Sequence, residues 1–189
     1  MRRIIASEFV SADGYMVGKN EDMSWVFKTF NDEMGKYAGD LMASMDTLLL
    51  GRVTYQIMRN AWPNMTEEQS PGANTMNSVR KIVVSTTLDS APWGKYVQAQ
   101  IIKNNIEQQI KELKQEQGRR KNIVIYGSGS LVHSLTKFGL IDEYQLLVHP
   151  ILLGGGKQLF KPMEGSIDLK LLQTHTFSNG VNVLYYEPK

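Results

Sequence analysis

Residues 123–135 read IVIYGSGSLVHSL: an apolar run, a Gly-Ser-Gly-Ser step, and then apolar residues at helical spacing. Ile123, Val124 and Ile125 form a continuous run of β-branched residues, the pattern of a strand buried on both faces. A strand that ends in glycines and runs into a helix offers free backbone N–H groups at the positive end of the helix dipole, and together these attract a phosphate. Glycine also lets a ligand come close to the backbone. The dinucleotide pattern G-x-G-x-x-G is incomplete, because Gly127 and Gly129 fit it while Val132 stands at the third glycine. Taken alone, the step reads equally well as a ligand cradle and as a tight turn without ligand.

Working outward, the hydrophobic period switches repeatedly between two and about 3.6 residues, as in strands alternating with helices. That predicts an α/β layer architecture. A strand is expected over residues 3–10, then a glycine-containing loop with Asp13, Gly14 and Gly18. Met34, Tyr37, Ala38, Leu41, Met42 and Met45 make one apolar stripe of a helix beginning near Asn31. DTLLLG (46–51) reads as a buried strand, and RVTYQIM (52–58) starts a short helix after it. Residues 62–78, with Pro63, Pro71 and Gly72, lack periodicity and read as a surface loop. KIVVSTT (81–87) and AQIIK (99–103) read as strands, followed by a helix over 104–117 that stops at Gly118. Beyond Gly139 the pattern turns strand-rich, and Ser178-Asn179-Gly180 between two such runs predicts a hairpin. The expected fold is a mixed, mostly parallel sheet with helices on both faces and a C-terminal antiparallel hairpin. With no repeat or internal linker, residues 1–189 are expected to form one domain.

Composition narrows the function. The net charge of +2 comes from 21 Lys and Arg against 19 Asp and Glu, too small an excess for a nucleic-acid field. The one dense basic run, Arg119-Arg120-Lys121, follows a helix and suits its C-terminal dipole. Without cysteine there is no disulfide, thiolate metal site or cysteine nucleophile. His133, His149 and His175 lack metal-ligand spacing, so no metal is expected. LLGGGKQLF (152–160) fails as a phosphate-binding P-loop, since Ile151 stands where its first glycine belongs and Gln158 where a hydroxyl residue belongs. The N-terminal apolar run is broken at Ser7 and Glu8, too soon for a signal peptide or membrane span, and a cytoplasmic protein is expected.

Two further strand ends carry phosphate-compatible residues. Gly51, Arg52 and Thr54 stand at one strand-to-helix junction, and Ser85, Thr86 and Thr87 end another strand. Ligands of open α/β sheets gather outside the carboxyl ends of strands, so three such ends favour an extended nucleotide site. The competing reading makes Arg52 a surface charge and the hydroxyl residues caps.

Five segments in order, SADGYMVG (11–18), LLLGRVTY (48–55), KIVVSTTL (81–88), IVIYGSGSLVHSL (123–135) and EYQLLVHPILLGGGKQLF (143–160), give the chain a resemblance to the dihydrofolate reductase-like superfamily. The nearer likeness is to the reductase domain of the bifunctional riboflavin-biosynthesis deaminase-reductase. This resemblance implies a three-layer fold with eight or nine strands, NADPH as cofactor, a small-molecule substrate and a homodimer. It implies that Gly51, Arg52 and Thr54 hold cofactor phosphates, with Arg52 near the 2′-phosphate, that Ser85 and Thr86 line the adenosine end, and that Gly127, Ser128, Gly129, Ser130 and Leu131 border the pyrophosphate and nicotinamide. Asp13 and Gly14 would lie on the loop over nicotinamide and substrate, with Asp22 and Trp25 continuing that wall.

Asp13 carries two readings: a carboxyl that acts through water as the proton source or as the group that orients the acceptor, and an Asx turn ahead of Gly14. Asp32 and Glu33 are the nearest counterparts of the acidic residue that binds pterin in folate reductases, but after Asn31 they read as ordinary helix-start residues, and folate is not expected. The resemblance leaves a ribosylaminopyrimidine of riboflavin biosynthesis, 5-amino-6-(5-phosphoribosylamino)uracil, or another small heterocycle, carbonyl or imine as the acceptor. A non-catalytic nucleotide- or small-ligand-binding protein on the same fold is the alternative.

Overall fold

The computed structural model describes residues 1–119 and 121–189, so Arg120 of the basic run lies outside the described residues. In chain order the strands are β1 (Ile4–Ser11), β2 (Tyr15–Val17), β3 (Met45–Gly51), β4 (Arg80–Val84), β5 (Gln100–Ile102), β6 (Asn122–Tyr126), β7 (Glu143–His149), β8 (Lys157–Gln158), β9 (Leu169–Thr176) and β10 (Asn182–Pro188). The helices are α1 (Ser24–Phe27), α2 (Asp32–Ser44), α3 (Arg52–Ala61), α4 (Ala73–Ser78), α5 (Ile106–Gln115) and α6 (Gly129–Lys137). Eight strands form one sheet in the order β5-β4-β3-β6-β1-β7-β10-β9, while β2 and β8 make a small ribbon. The run from β5 to β7 is parallel, and β10 and β9 close the sheet antiparallel.

The central strands are apolar on both sides because helices cover both faces. Leu48, Leu49 and Leu50 of β3 are each fully buried. Leu49 joins Ile82, Ile123 and Ile125 under α5 and α6, through Ile110, Leu113, Leu131, Val132 and Leu135. Leu48 and Leu50 turn to the other face, with Leu41 and Met42 of α2, Tyr55 of α3 and Met76 of α4. Each fully buried leucine is worth about 1.5–3 kcal/mol relative to exposure. Helix α2 begins where expected, its Asn31 side chain accepting from Met34 N at 3.0 Å. Met45 opens β3 directly instead of extending the helix.

Residues 62–78 correct the expectation of a surface loop. They contain a turn at Trp62–Asn64 and helix α4, whose Ala73, Met76 and Asn77 are buried. The flanking prolines hid this single short turn of helix. At the opposite end of the sheet from its carboxyl edge, Arg2 is 4% exposed and is bonded to Asp46, to Thr47 Oγ1 at 2.6 Å and to Lys121 O at 3.2 Å. Among the described residues no helix is long and apolar enough to cross a membrane.

Candidate active site

The winding of the chain creates a crevice. From β3 it moves outward to β4 and β5, then returns to insert β6 between β3 and β1, and crosses through α6 to β7. The carboxyl ends of β3 and β6 thus flank the point where the winding direction changes, the usual ligand position in open α/β sheets. The pairing of β1 with β6 stops at Ser7 opposite Tyr126, whereas β1 stays paired with β7 as far as Ser11 opposite His149. Arg3 O accepts from Ile123 N and Ile4 O from Asp142 N, so the odd-numbered residues of β1 turn their amides toward β6. By that alternation the backbone amide of Phe9 faces the gap beyond the end of β6.

Ser128 fastens the rim of this gap. Its backbone is left-handed at φ 76°, its hydroxyl accepts from Gly51 N at 2.8 Å, and it donates to Thr54 Oγ1 at 2.7 Å. The ends of β3 and β6 and the starts of α3 and α6 are thereby tied to one side chain. Gly51 suits this approach, since a Cβ there would sit 3.0 Å from Ser128 Oγ and press on the latch. Gly127 turns the chain at φ 62° against Thr54. Leu131 N and Val132 N both donate to Ser128 O, leaving Gly129 and Ser130 to contribute the amides of the first turn of α6 that have no backbone partner among the described residues. Leu131 is buried, and Ser130 is exposed.

The ends of β4, β3 and β6 are neighbours, so the predicted cofactor residues share one edge roughly 10 Å across at ordinary strand spacing. Arg52 is exposed at the first position of α3 and donates to Gln56 Oε1 at 3.1 Å. Ser85 is buried, and its hydroxyl accepts from Thr87 N and Leu88 N, both at 3.2 Å, so it closes its own turn. Thr86 is exposed beside it.

The loop between β1 and β2 is held by Ser11 and Asp13. Ser11 closes the turn: its carbonyl accepts from Gly14 N at 2.9 Å and its hydroxyl from Tyr15 N at 3.0 Å. The Asp13 carboxylate accepts from Ser11 Oγ at 2.6 Å, from Leu153 N at 3.1 Å and from Gly154 N at 2.8 Å. These hydrogen bonds, that from Ser11 foremost, hold its pKa down at about 2. Asp13 therefore clamps the glycine turn before β8 and is ionised at neutral pH. Gly14 forms the exposed apex of its turn. Asp22 accepts from Ser24 N at 2.8 Å and heads α1, at a distance from the Asp13 clamp set by the β2 segment. Glu33 accepts from Ser178 N at 2.7 Å, a tie from α2 to the hairpin turn.

Trp25 is buried on the inner side of α1, where its ring meets His149 edge-on at 5.0 Å between centroids. His149, which lacks metal-ligand spacing in the sequence, is fully buried at the end of β7, and burial lowers its pKa to about 4. The alternation Glu143, Gln145, Leu147, His149 was the available signal for its inward direction. On the same face, Tyr37 donates to Gln145 Oε1 at 2.6 Å and meets Ser7 Oγ at 3.1 Å. Desolvation is the main cause raising the Tyr37 phenol, so it remains a protonated donor.

The eight-stranded sheet, the crevice and the glycine-lined strand ends define a dihydrofolate reductase-like α/β protein. Residues 2–183 match the RibD C-terminal domain, and the chain belongs to that family. It is 33% identical over 187 residues to the uncharacterized protein YyaP of Bacillus subtilis (strain 168), covering 98% of this chain and 94% of that one. A putative riboflavin biosynthesis protein from Shewanella sp. PV-4 superposes with a TM-score of 0.79 at 25% identity, over 99% of both chains. Dihydrofolate reductase from Enterococcus faecalis, solved with NADP(H), shares the fold at a TM-score of 0.62 and 12% identity, over 99% of this chain and 96% of that one.

Proposed function

We propose that this protein is an NADPH-dependent reductase that acts on a small heterocyclic, carbonyl or imine substrate, in the manner of the riboflavin-pathway reductases of its family. The observation that carries the reading is the Ser128 latch, which holds two glycine-lined strand ends and a helix start around an open backbone edge. Such an edge suits a dinucleotide better than it suits packing, because Gly127 turns the backbone at the rim and Gly129 and Ser130 start α6 with amides that no helix bond takes. In this reading Gly51, Arg52 and Thr54 receive the phosphates, and Thr86 with Ser85 borders the adenosine. Gly127, Ser128, Gly129, Ser130 and Leu131 border the pyrophosphate and nicotinamide. Bound there, NADPH would supply a hydride to the acceptor. Asp13 serves as a positioning residue, since a carboxyl ionised down to about pH 2 has no proton to give near neutrality. Gly14 forms the turn that this clamp holds over the site, and Asp22 and Trp25 wall the substrate side through α1.

The same reading takes the protein to be cytoplasmic and homodimeric. Strand β9 supports the dimer: seven of its eight residues are exposed, and Leu171 and Leu172 lie 50% and 42% open on an edge strand. The test of function is thermal melting with NADPH and NADH for the wild type and Arg52→Ala. A ligand at about 100 times its dissociation constant adds roughly 2.7 kcal/mol to stability. Preference for NADPH that is lost in the variant supports the reading. Absence of a shift with either nucleotide overturns it in favour of a binding protein for another small ligand.

A further inference from the structure

His149 and Trp25 hold two buried hydrogen-bonding atoms that the protein leaves unused. Among the described residues, neither His149 Nε2 nor Trp25 Nε1 has a partner, although the two residues are 0% and 2% exposed. An unsatisfied buried polar atom costs about 1–3 kcal/mol, and two on touching rings point to a group that completes both.

The hydrogen-bond network frames what each atom can offer. Thr29 Oγ1 lies 3.3 Å from Val26 O, which can only accept, and 2.7 Å from His149 Nδ1. With the hydroxyl hydrogen on Val26 O, the threonine oxygen accepts the Nδ1–H and Nε2 carries a bare lone pair, and this is the tautomer the assignment requires. Burial keeps the ring neutral and this acceptor free. The indole of Trp25 supplies the complementary N–H. The rings stand nearly perpendicular, at 88°, and the Phe9 ring packs edge-on against the imidazole at 5.5 Å. Phe9 is the residue whose backbone amide faces the gap beyond β6, so the pair sits one side chain away from the proposed nicotinamide position. The opposite side is fixed: Asn179 Nδ2 donates to Thr29 O, which anchors the threonine to the β9–β10 turn.

We propose that His149 and Trp25 are substrate-recognition residues that read a cis-amide edge, His149 Nε2 accepting the ring N–H and Trp25 Nε1–H donating to the adjacent carbonyl. The inference rests on the reductase reading for the place of this edge beside the cofactor. Entry requires the one-turn helix α1 to lift, since it carries Trp25 and Val26 inward and Phe27, 75% exposed, outward. A substrate methylated at the amide nitrogen loses the donor and is rejected.

The probes are 2-pyridone, which carries this edge, and N-methyl-2-pyridone, which lacks the N–H. Uniformly ¹⁵N-labelled protein shows indole N–H signals from Trp25, Trp62 and Trp93, and Trp25→Phe assigns the first. The expected result is a saturable movement of the Trp25 signal with 2-pyridone and binding at least about tenfold weaker for the methylated compound. The ¹⁵N shifts of His149 should report the Nδ1–H form. Equal responses to both compounds, no response at Trp25, or an Nε2–H imidazole would each overturn the assignment. NADPH melting is run on the same sample. A cofactor shift without a Trp25 response removes the pair and leaves the reductase reading. A Trp25 response without a cofactor shift supports the pair and removes that reading.

Discussion

Glu8 lies on β1 between Ala6 and Val10, 1% exposed, and neither carboxyl oxygen has a partner among the described residues. Desolvation raises its pKa well above the ordinary value, so the folded protein holds it neutral. The unfolded chain releases that proton near pH 4.3, and stability should fall as pH climbs from there toward the raised folded value. Glu8→Leu should raise the melting temperature by about 2–12 °C, the equivalent of 1–3 kcal/mol in a chain of this size. Glu8→Gln should flatten the pH dependence of the urea midpoint, and parallel curves for variant and wild type would show that the acid is not its source. Asp13 works in the opposite direction: its contribution is present above the unfolded value and lost as pH falls through about 2. Asp13→Asn should accelerate amide exchange at Leu153 and Gly154 with little change elsewhere. In the sequence, Ser7 and Glu8 interrupt an apolar run, and polarity suggests exposure; both are buried because β1 occupies the middle of the sheet. No local pattern carries that information. Asp13, by contrast, was visible as a turn-loop acid, but its partners at 153 and 154 lie 140 and 141 residues away.

At the scale of elements, the start of α6 is joined to the start of α3 by one hydroxyl. Ser128→Ala leaves Gly51 N without its acceptor and should cost about 1–3 kcal/mol, read from denaturant unfolding. It should also weaken NADPH binding if the nucleotide uses this rim. The strand-glycine-helix junctions were legible because strand and helix periods change abruptly there. Helix α4 was not legible, since Ala73, Met76 and Asn77 give only one turn of spacing between a proline-rich stretch and β4. Tyr185 and Tyr186 of β10 flank a register shift with β9, and both are half-buried. The edge strand β9 makes its own prediction: sedimentation at micromolar concentration should give the mass of two chains, and Leu171→Lys with Leu172→Lys should return the monomer.

For the molecule as a whole, we propose residues 1–189 as one cooperative unit. Both apolar layers meet the same sheet, and the Arg2 side chain spans β3 and the segment after α5. Circular dichroism and tryptophan fluorescence should therefore report one coincident thermal transition, and separated transitions would divide the unit. The parallel order of the first strands and the closing hairpin followed from sequence pattern. The insertion of β6 between β3 and β1 did not, because strand order is set by long-range pairing.

That insertion also has a temporal side. β1 is made early but lies between β6 and β7, whose first residues come 111 positions after Ser11 and later. At roughly 5–20 residues per second, β1 leaves the ribosome about 6–22 s before either neighbour exists. Its polar breaks at Ser7 and Glu8 then have a second value, since an ionised Glu8 interrupts what would otherwise be a continuous sticky segment on the waiting nascent chain. The carboxyl that burdens the finished sheet guards the strand until the sheet can close around it.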